Sequence, residues 1–125
     1  MRMYRVHVKD LFEKGMYRGG GKWADWDEIQ SSPRHPMPRD DDELMDNISN
    51  ILGVYYIEPW MVFGFSTIAQ LKFWIYKKKW REKLTELGFI VSYIESDYIA
   101  RGSTQAVVHK NKPYEIIKTI KCSII

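Results

Sequence analysis

The hydrophobic and polar positions of this chain change period several times, and each change marks an element. Tyr4-Arg5-Val6-His7-Val8 alternates with a period of two, which predicts an opening strand. Leu44, Met45, Ile48, Ile51 and Leu52 recur at helical spacing, so a helix is expected over 43–52, capped by Asp41 or Asp42 and ended by Gly53. Val54-Tyr55-Tyr56-Ile57 reads as a short strand, and Met61-Val62-Phe63 as a further extended piece.

The most closed unit runs from Phe63 to His109. Ser66-Thr67 signals a helix start, with Ser66 as the N-cap, and helical patterning continues to Leu87. Ile68, Leu71, Trp74 and Ile75 share one face, whereas Trp80, Leu84 and Leu87 share another. The phase slips near Lys77-Lys78-Lys79, which predicts a kink or two short helices. Gly88 stops the helix, Phe89 to Ile94 has strand composition, Ser96 to Ser103 turns the chain, and Thr104 to His109 supplies another strand. Antiparallel pairing of these two strands is expected, with Leu71, Leu84, Leu87, Phe89, Val91 and Val107 in the core. Tyr114 to Ile125 carries isoleucines at near-helical spacing, yet its β-branched content suits a strand equally.

Between the opening strand and the first helix lies Gly19-Gly20-Gly21, then Pro33, Pro36 and Pro38, then Asp40-Asp41-Asp42. Prolines around Met37 disfavour helix and central strand alike. A loop over about 19–42 is therefore expected inside one α+β domain, 1–125, with a mostly antiparallel sheet and helices packed on one face. The 125 residues, 45% hydrophobic and 28% charged, suit a single globular domain with its own core.

Cys122 is the only cysteine, so no internal disulfide forms, and a reducing cytoplasm is the expected compartment. No apolar run approaches the ~18 residues of a membrane span, and Met1 leads into strand-like sequence without a secretory apolar region. No membrane association is expected. A net charge of +3 is too small to imply nucleic acid by itself.

Candidate chemistry is sparse. Tyr17-Arg18-Gly19-Gly20-Gly21 combines exposed backbone N–H groups, a forked donor and an aromatic ring, which suits a phosphate-bearing ligand. Its spacing matches neither dinucleotide nor P-loop fingerprints, and a loop with an exposed Arg explains it more simply. His35 stands near three aspartates, but one His and a run of carboxylates do not make a zinc site, so no metal is expected. His7 and His109 lie on strands and read as structural. Lys72, Lys77, Lys78, Lys79, Arg81 and Lys83 interleave with Trp74, Tyr76 and Trp80. That mixture suits nucleic acid, but a solvated helix face beside core aromatics is preferred unless the tryptophans prove exposed. Ser66 has no triad around it, and as a helix N-cap it leaves main-chain donors nearby.

Tyr4-Arg5-Val6, Gly15-Met16-Tyr17-Arg18, His35-Pro36 with Pro38, Phe63-Gly64-Phe65-Ser66 with Gln70-Leu71 and Trp74, Leu87-Gly88-Phe89, and Gly102 with Gln105, Val107 and Val108 together resemble a family of small proteins. That family is widespread in bacteriophages and prophages and carries no assigned activity. The resemblance implies a phage-encoded accessory protein of the infected cell's cytoplasm that captures a host protein or a nucleotide-like ligand, in host takeover or anti-defence. Arg5, Tyr17, Arg18, His35, Ser66 and Gln105 are the expected contacts, with no cofactor.

A fainter resemblance is to ADP-ribosyltransferases, with Tyr4-Arg5 standing for the first-strand element and Phe65-Ser66-Thr67 for the middle one. Gln105 falls where an acid is wanted and cannot supply the carboxylate. This alternative therefore implies such an enzyme or an inactive, nucleotide-binding descendant of one, with Arg5, Tyr17, Ser66 and Gln105 converging on one cleft.

Overall fold

The computed structural model of the protein describes residues 1–8, 10–12, 15 and 36–125. Most of the loop expected over 19–42 lies outside the described residues. Among the described residues the strands form two three-stranded antiparallel sheets rather than one. In the first, β1 (Arg2–His7) and β6 (Glu115–Lys121) flank β3 (Ile90–Glu95). In the second, β2 (Met61–Gly64) and β4 (Ile99–Arg101) flank β5 (Ala106–His109). Among the described residues the α+β domain also has three short α-helices: α1 (Asp42–Asn47), α2 (Ile68–Trp74) and α3 (Lys78–Glu86).

The expected pairing of the strand after Gly88 with the strand near Thr104 is not what forms. β3 and β5 belong to different sheets. The residues between them do more than turn the chain, because Ile99–Arg101 is itself a strand. It folds back on β5 through 102–105, pairing Ile99 with Val108 and Arg101 with Ala106. A hairpin closes a much shorter loop than a pairing that spans it, so β4 claims β5 first. β3 then takes β1 on one side and the isoleucine-rich tail on the other.

The two sheets meet where β1 reaches the residue after β2. Tyr4 and Phe65 exchange both backbone hydrogen bonds, each 2.7 Å long. Gly64 makes this approach feasible, since a Cβ there would collide with the Tyr4 carbonyl. β2 and three of the four residues of β5 are buried, consistent with their near-continuous apolar sequence. One side joins the main core, where Phe63 and Val107 meet Phe65, Leu71, Leu84 and Phe89. The other joins a smaller cluster of Met3, Val62, Ile94, Ile99 and Val108, closed by Leu11.

The helices stop where the sequence says they should. Gly53 and Gly88 both adopt positive φ, 75° and 91°, a conformation that costs glycine little. Before Gly53, α1 widens into a π-helical segment, Ile48–Leu52. The helical register slips between α2 and α3, with Ile75 leaving helical geometry. Arg81 closes that break, its Nη1 donating to the carbonyls of Ile75 at 2.8 Å and Tyr76 at 3.2 Å. The cap of α2 is Thr67 and not Ser66: the Thr67 Oγ1 accepts from the Gln70 N–H at 3.1 Å.

Leu71, Leu84, Phe89, Val91 and Val107 are buried as expected, but Leu87 is only partly so, at the rim of the main core. Leu84→Ala is therefore expected to cost about 2–5 kcal/mol in urea unfolding, and Leu87→Ala distinctly less. Equal losses would show that the rim of α3 is packed as tightly as its centre.

Candidate functional site

Of the six residues expected to contact a ligand, Tyr17, Arg18 and His35 lie outside the described residues. The other three are inside the fold, and each is engaged with backbone. Arg5 is fully buried; its Nε donates to the Leu11 carbonyl at 2.8 Å and its Nη1 to the Phe63 carbonyl. The Ser66 Oγ donates to the Gly102 carbonyl at 3.4 Å, and the Ser66 N–H donates to the Gln70 Oε1 at 2.7 Å. The Gln105 Nε2 donates to the Pro36 carbonyl at 3.1 Å, while its buried Oε1 has no hydrogen-bond partner among the described residues. None of the three lines the cleft of about 310 Å³ formed by Ala69, Gln70, Phe73, Ser103 and Thr104.

What gathers Ser66 and Gln105 into one region is Asp41, one of the two residues expected to cap the first helix. It is buried, and its carboxylate accepts from the N–H of Leu44 as the N-cap of α1. It also accepts from the N–H and hydroxyl groups of both Ser103 and Thr104, at 2.8–3.1 Å. Burial alone would raise the pKa of this carboxyl, but the hydrogen bonds from Thr104, Leu44 and Ser103 outweigh it and hold the group below its ordinary value. Gly102 sits against that carboxylate so closely that a Cβ would overlap it and the Leu44 side chain. The Gly102 carbonyl then receives the Gln70 Nε2 at 2.9 Å, tying α2 to the same turn.

A second buried polar group lies between β1 and β3. His7 Nε2 and Ser92 Oγ share a 2.7 Å hydrogen bond, and both residues are buried. Burial, then the charge of Arg5, push the imidazole down to about 4, against the opposing pull of Asp10. His7 is thus a neutral structural histidine, as its strand position implies. The basic stretch also resolves. Trp74 and Trp80 are buried, Arg81 braces the helix break, and Lys77 Nζ stands 5.1 Å from the centre of the Trp80 ring.

The most exposed aromatic surface falls where a strand was expected. Val54-Tyr55-Tyr56-Ile57 pairs with no strand; it is an exposed bend between the π-helical segment and β2. Tyr55 is 80% exposed, Tyr56 63% and Ile57 40%. Beyond Pro59 the surface continues in Trp60, stacked on His109 with centroids 4.0 Å apart. The Trp60 carbonyl accepts from Lys110 at 3.1 Å, and Lys112 Nζ lies 5.4 Å from the centre of the Tyr98 ring. Strand composition hid this site. The sequence signal against a strand is Gly53 and Pro59 bracketing the run, residues that strands disfavour.

The depressed pKa of His7 has a stability consequence. The unfolded imidazole titrates near its ordinary 6.5 and the folded one near 4, so the unfolded state takes the proton first. Stability is full above pH 6.5 and falls as pH drops toward 4, with a loss of about 2 kcal/mol from pH 7 to pH 4.5. His7→Gln should remove that component from denaturant curves taken across the interval. An unchanged pH dependence would show that His7 is not held neutral.

Among the described residues no helix is long and apolar enough to cross a membrane. No curated protein and no solved structure matches the chain. One family model does, that of the bacteriophage T4 Y00F protein, over residues 1–123. The match spans nearly the whole chain, as the distributed Tyr4-to-Val108 pattern implies, and the chain belongs to this bacteriophage protein family.

Proposed function

We propose that this phage-family protein is an accessory factor that captures a host protein in the infected cell's cytoplasm, using the aromatic bend Tyr55-Tyr56-Ile57 as its contact surface. The observation that carries the reading is the exposure of two adjacent tyrosines and an isoleucine on one bend. Leaving such apolar area in water serves no purpose in folding, and tyrosine is among the side chains that dominate binding energy at protein interfaces. The π-helical turn just before the bend adds to this, since such turns are rare and concentrate at functional positions.

A nucleotide pocket built on Arg5, Ser66 and Gln105 has less in its favour. Their donors go to the carbonyls of Leu11, Phe63, Gly102 and Pro36, so a phosphate or ribose would have to displace internal hydrogen bonds. The same observation weighs against ADP-ribosyl transfer, which needs these groups turned toward one cleft.

A photoreactive phenylalanine analogue placed at Tyr56 during infection should crosslink one host protein that the same analogue at Lys121 does not. With that partner purified, Tyr55→Ala and Tyr56→Ala should each weaken binding by about 30-fold. Identical crosslinking from both positions, or unchanged affinity in both variants, would remove the proposal.

A further inference from the structure

The outward side of α2 carries a second surface, on different elements from the bend. Ala69, Lys72 and Phe73 occupy the exposed side of the helix, and Tyr76 follows at the elbow before α3. Phe73 is 51% exposed and Tyr76 39%, while Leu71, Trp74 and Ile75 on the opposite side are buried. The aromatic residues of the basic stretch therefore divide. Its tryptophans serve the core, and Phe73 and Tyr76 face solvent.

Charge in this stretch of the sequence is of one sign. No Asp or Glu occurs between Glu58 and Glu82, whereas Lys72, Lys77, Lys78 and Lys79 fall within that interval. Lys78 approaches Glu82 at 4.0 Å, but Lys72, Lys77 and Lys79 take part in no ion pair among the described residues. Lys77 Nζ lies 5.9 Å from the centre of the Tyr76 ring, so cation and aromatic share one patch.

Beside Phe73 lies the 310 Å³ cleft whose other walls are Ala69, Gln70, Ser103 and Thr104. That volume falls within the ~300–1,000 Å³ of small-ligand sites and accommodates a nucleobase. The Ser103 and Thr104 hydroxyls donate their protons to Asp41. Their remaining lone pairs suit the exocyclic amino group of a base.

We infer that this face binds single-stranded nucleic acid, with one base stacked on Phe73 in the cleft and neighbouring phosphates held by Lys72, Lys77 and Lys79. A duplex does not suit the site, because a base must be unstacked before its face can reach the Phe73 ring. An acidic protein would satisfy the lysines but would not fill the cleft.

Fluorescence anisotropy with short mixed-sequence single-stranded DNA and RNA probes tests this. Neutralising about three phosphates should make binding about 20-fold weaker at ~200 mM salt than at ~50 mM. Phe73→Ala should lower affinity by about 10-fold or more and Phe73→Trp should restore it. Lys121→Ala, which removes the same charge from β6, should leave affinity unchanged. Circular dichroism of the Phe73→Ala protein should be that of the wild type, since the ring is on the surface. Absence of binding at ~50 mM salt, indifference to Phe73→Ala, or equal competition by polyglutamate would each overturn the inference.

Discussion

The crossing of β1 over the end of β2 holds the two sheets in one body. It rests on a pair of 2.7 Å backbone bonds between Tyr4 and Phe65, on a glycine at 64 that leaves room for them, and on the Arg5 side chain. That guanidinium reaches from β1 to the carbonyl of Phe63 in β2 and to the carbonyl of Leu11 beyond β1's end. A buried cation without such acceptors would be costly. Its position is therefore tied to the strand crossing, and the crossing to it. Burial is the larger cause of His7 staying neutral, and the same charge adds to it, so part of the acid sensitivity of the fold follows from this contact.

Asp41 is the second centre of order. One carboxylate takes donors from α1 and from the turn that joins β4 to β5. That turn presents the Gly102 carbonyl to Gln70 and so fixes α2. A chain with short helices and small sheets gains rigidity from polar ties of this kind, because each tie leaves few alternative arrangements for a buried charge. The cleft beside Phe73 owes its shape to this arrangement, since its walls come from both tied elements.

The two exposed aromatic surfaces stand on different supports. The bend at Tyr55 and Tyr56 leaves the π-helical segment through Gly53 and is anchored at its far end by Trp60 on His109. The surface at Phe73 and Tyr76 exists because the helix breaks at Ile75 and Arg81 holds the break. A continuous helix would have carried Trp80 around on a different phase from Trp74. The break turns both tryptophans inward and leaves Phe73, Tyr76 and the lysines outside.

Local chemistry was legible in the sequence. The opening strand, the Asp41 cap, the stops at Gly53 and Gly88, and the slip between the two lysine-flanked helices all depend on a few neighbouring residues, and each formed as expected. Partner choice was not legible. Nothing within Phe89 to Ile94 distinguishes Thr104 to His109 from the tail as its neighbour; the hairpin formed by Ile99–Arg101 decided it. Val54 to Ile57 has the composition of a strand, but a strand also needs a partner edge, and among the described residues this segment pairs with none. The same limit applied to Arg5 and Asp41, charged residues whose burial depends on carbonyls and amide groups brought from 58 and 62 positions away. Periodicity and capping are set by neighbours along the chain, whereas sheet partners and buried charges are settled by groups that meet only after the chain has closed.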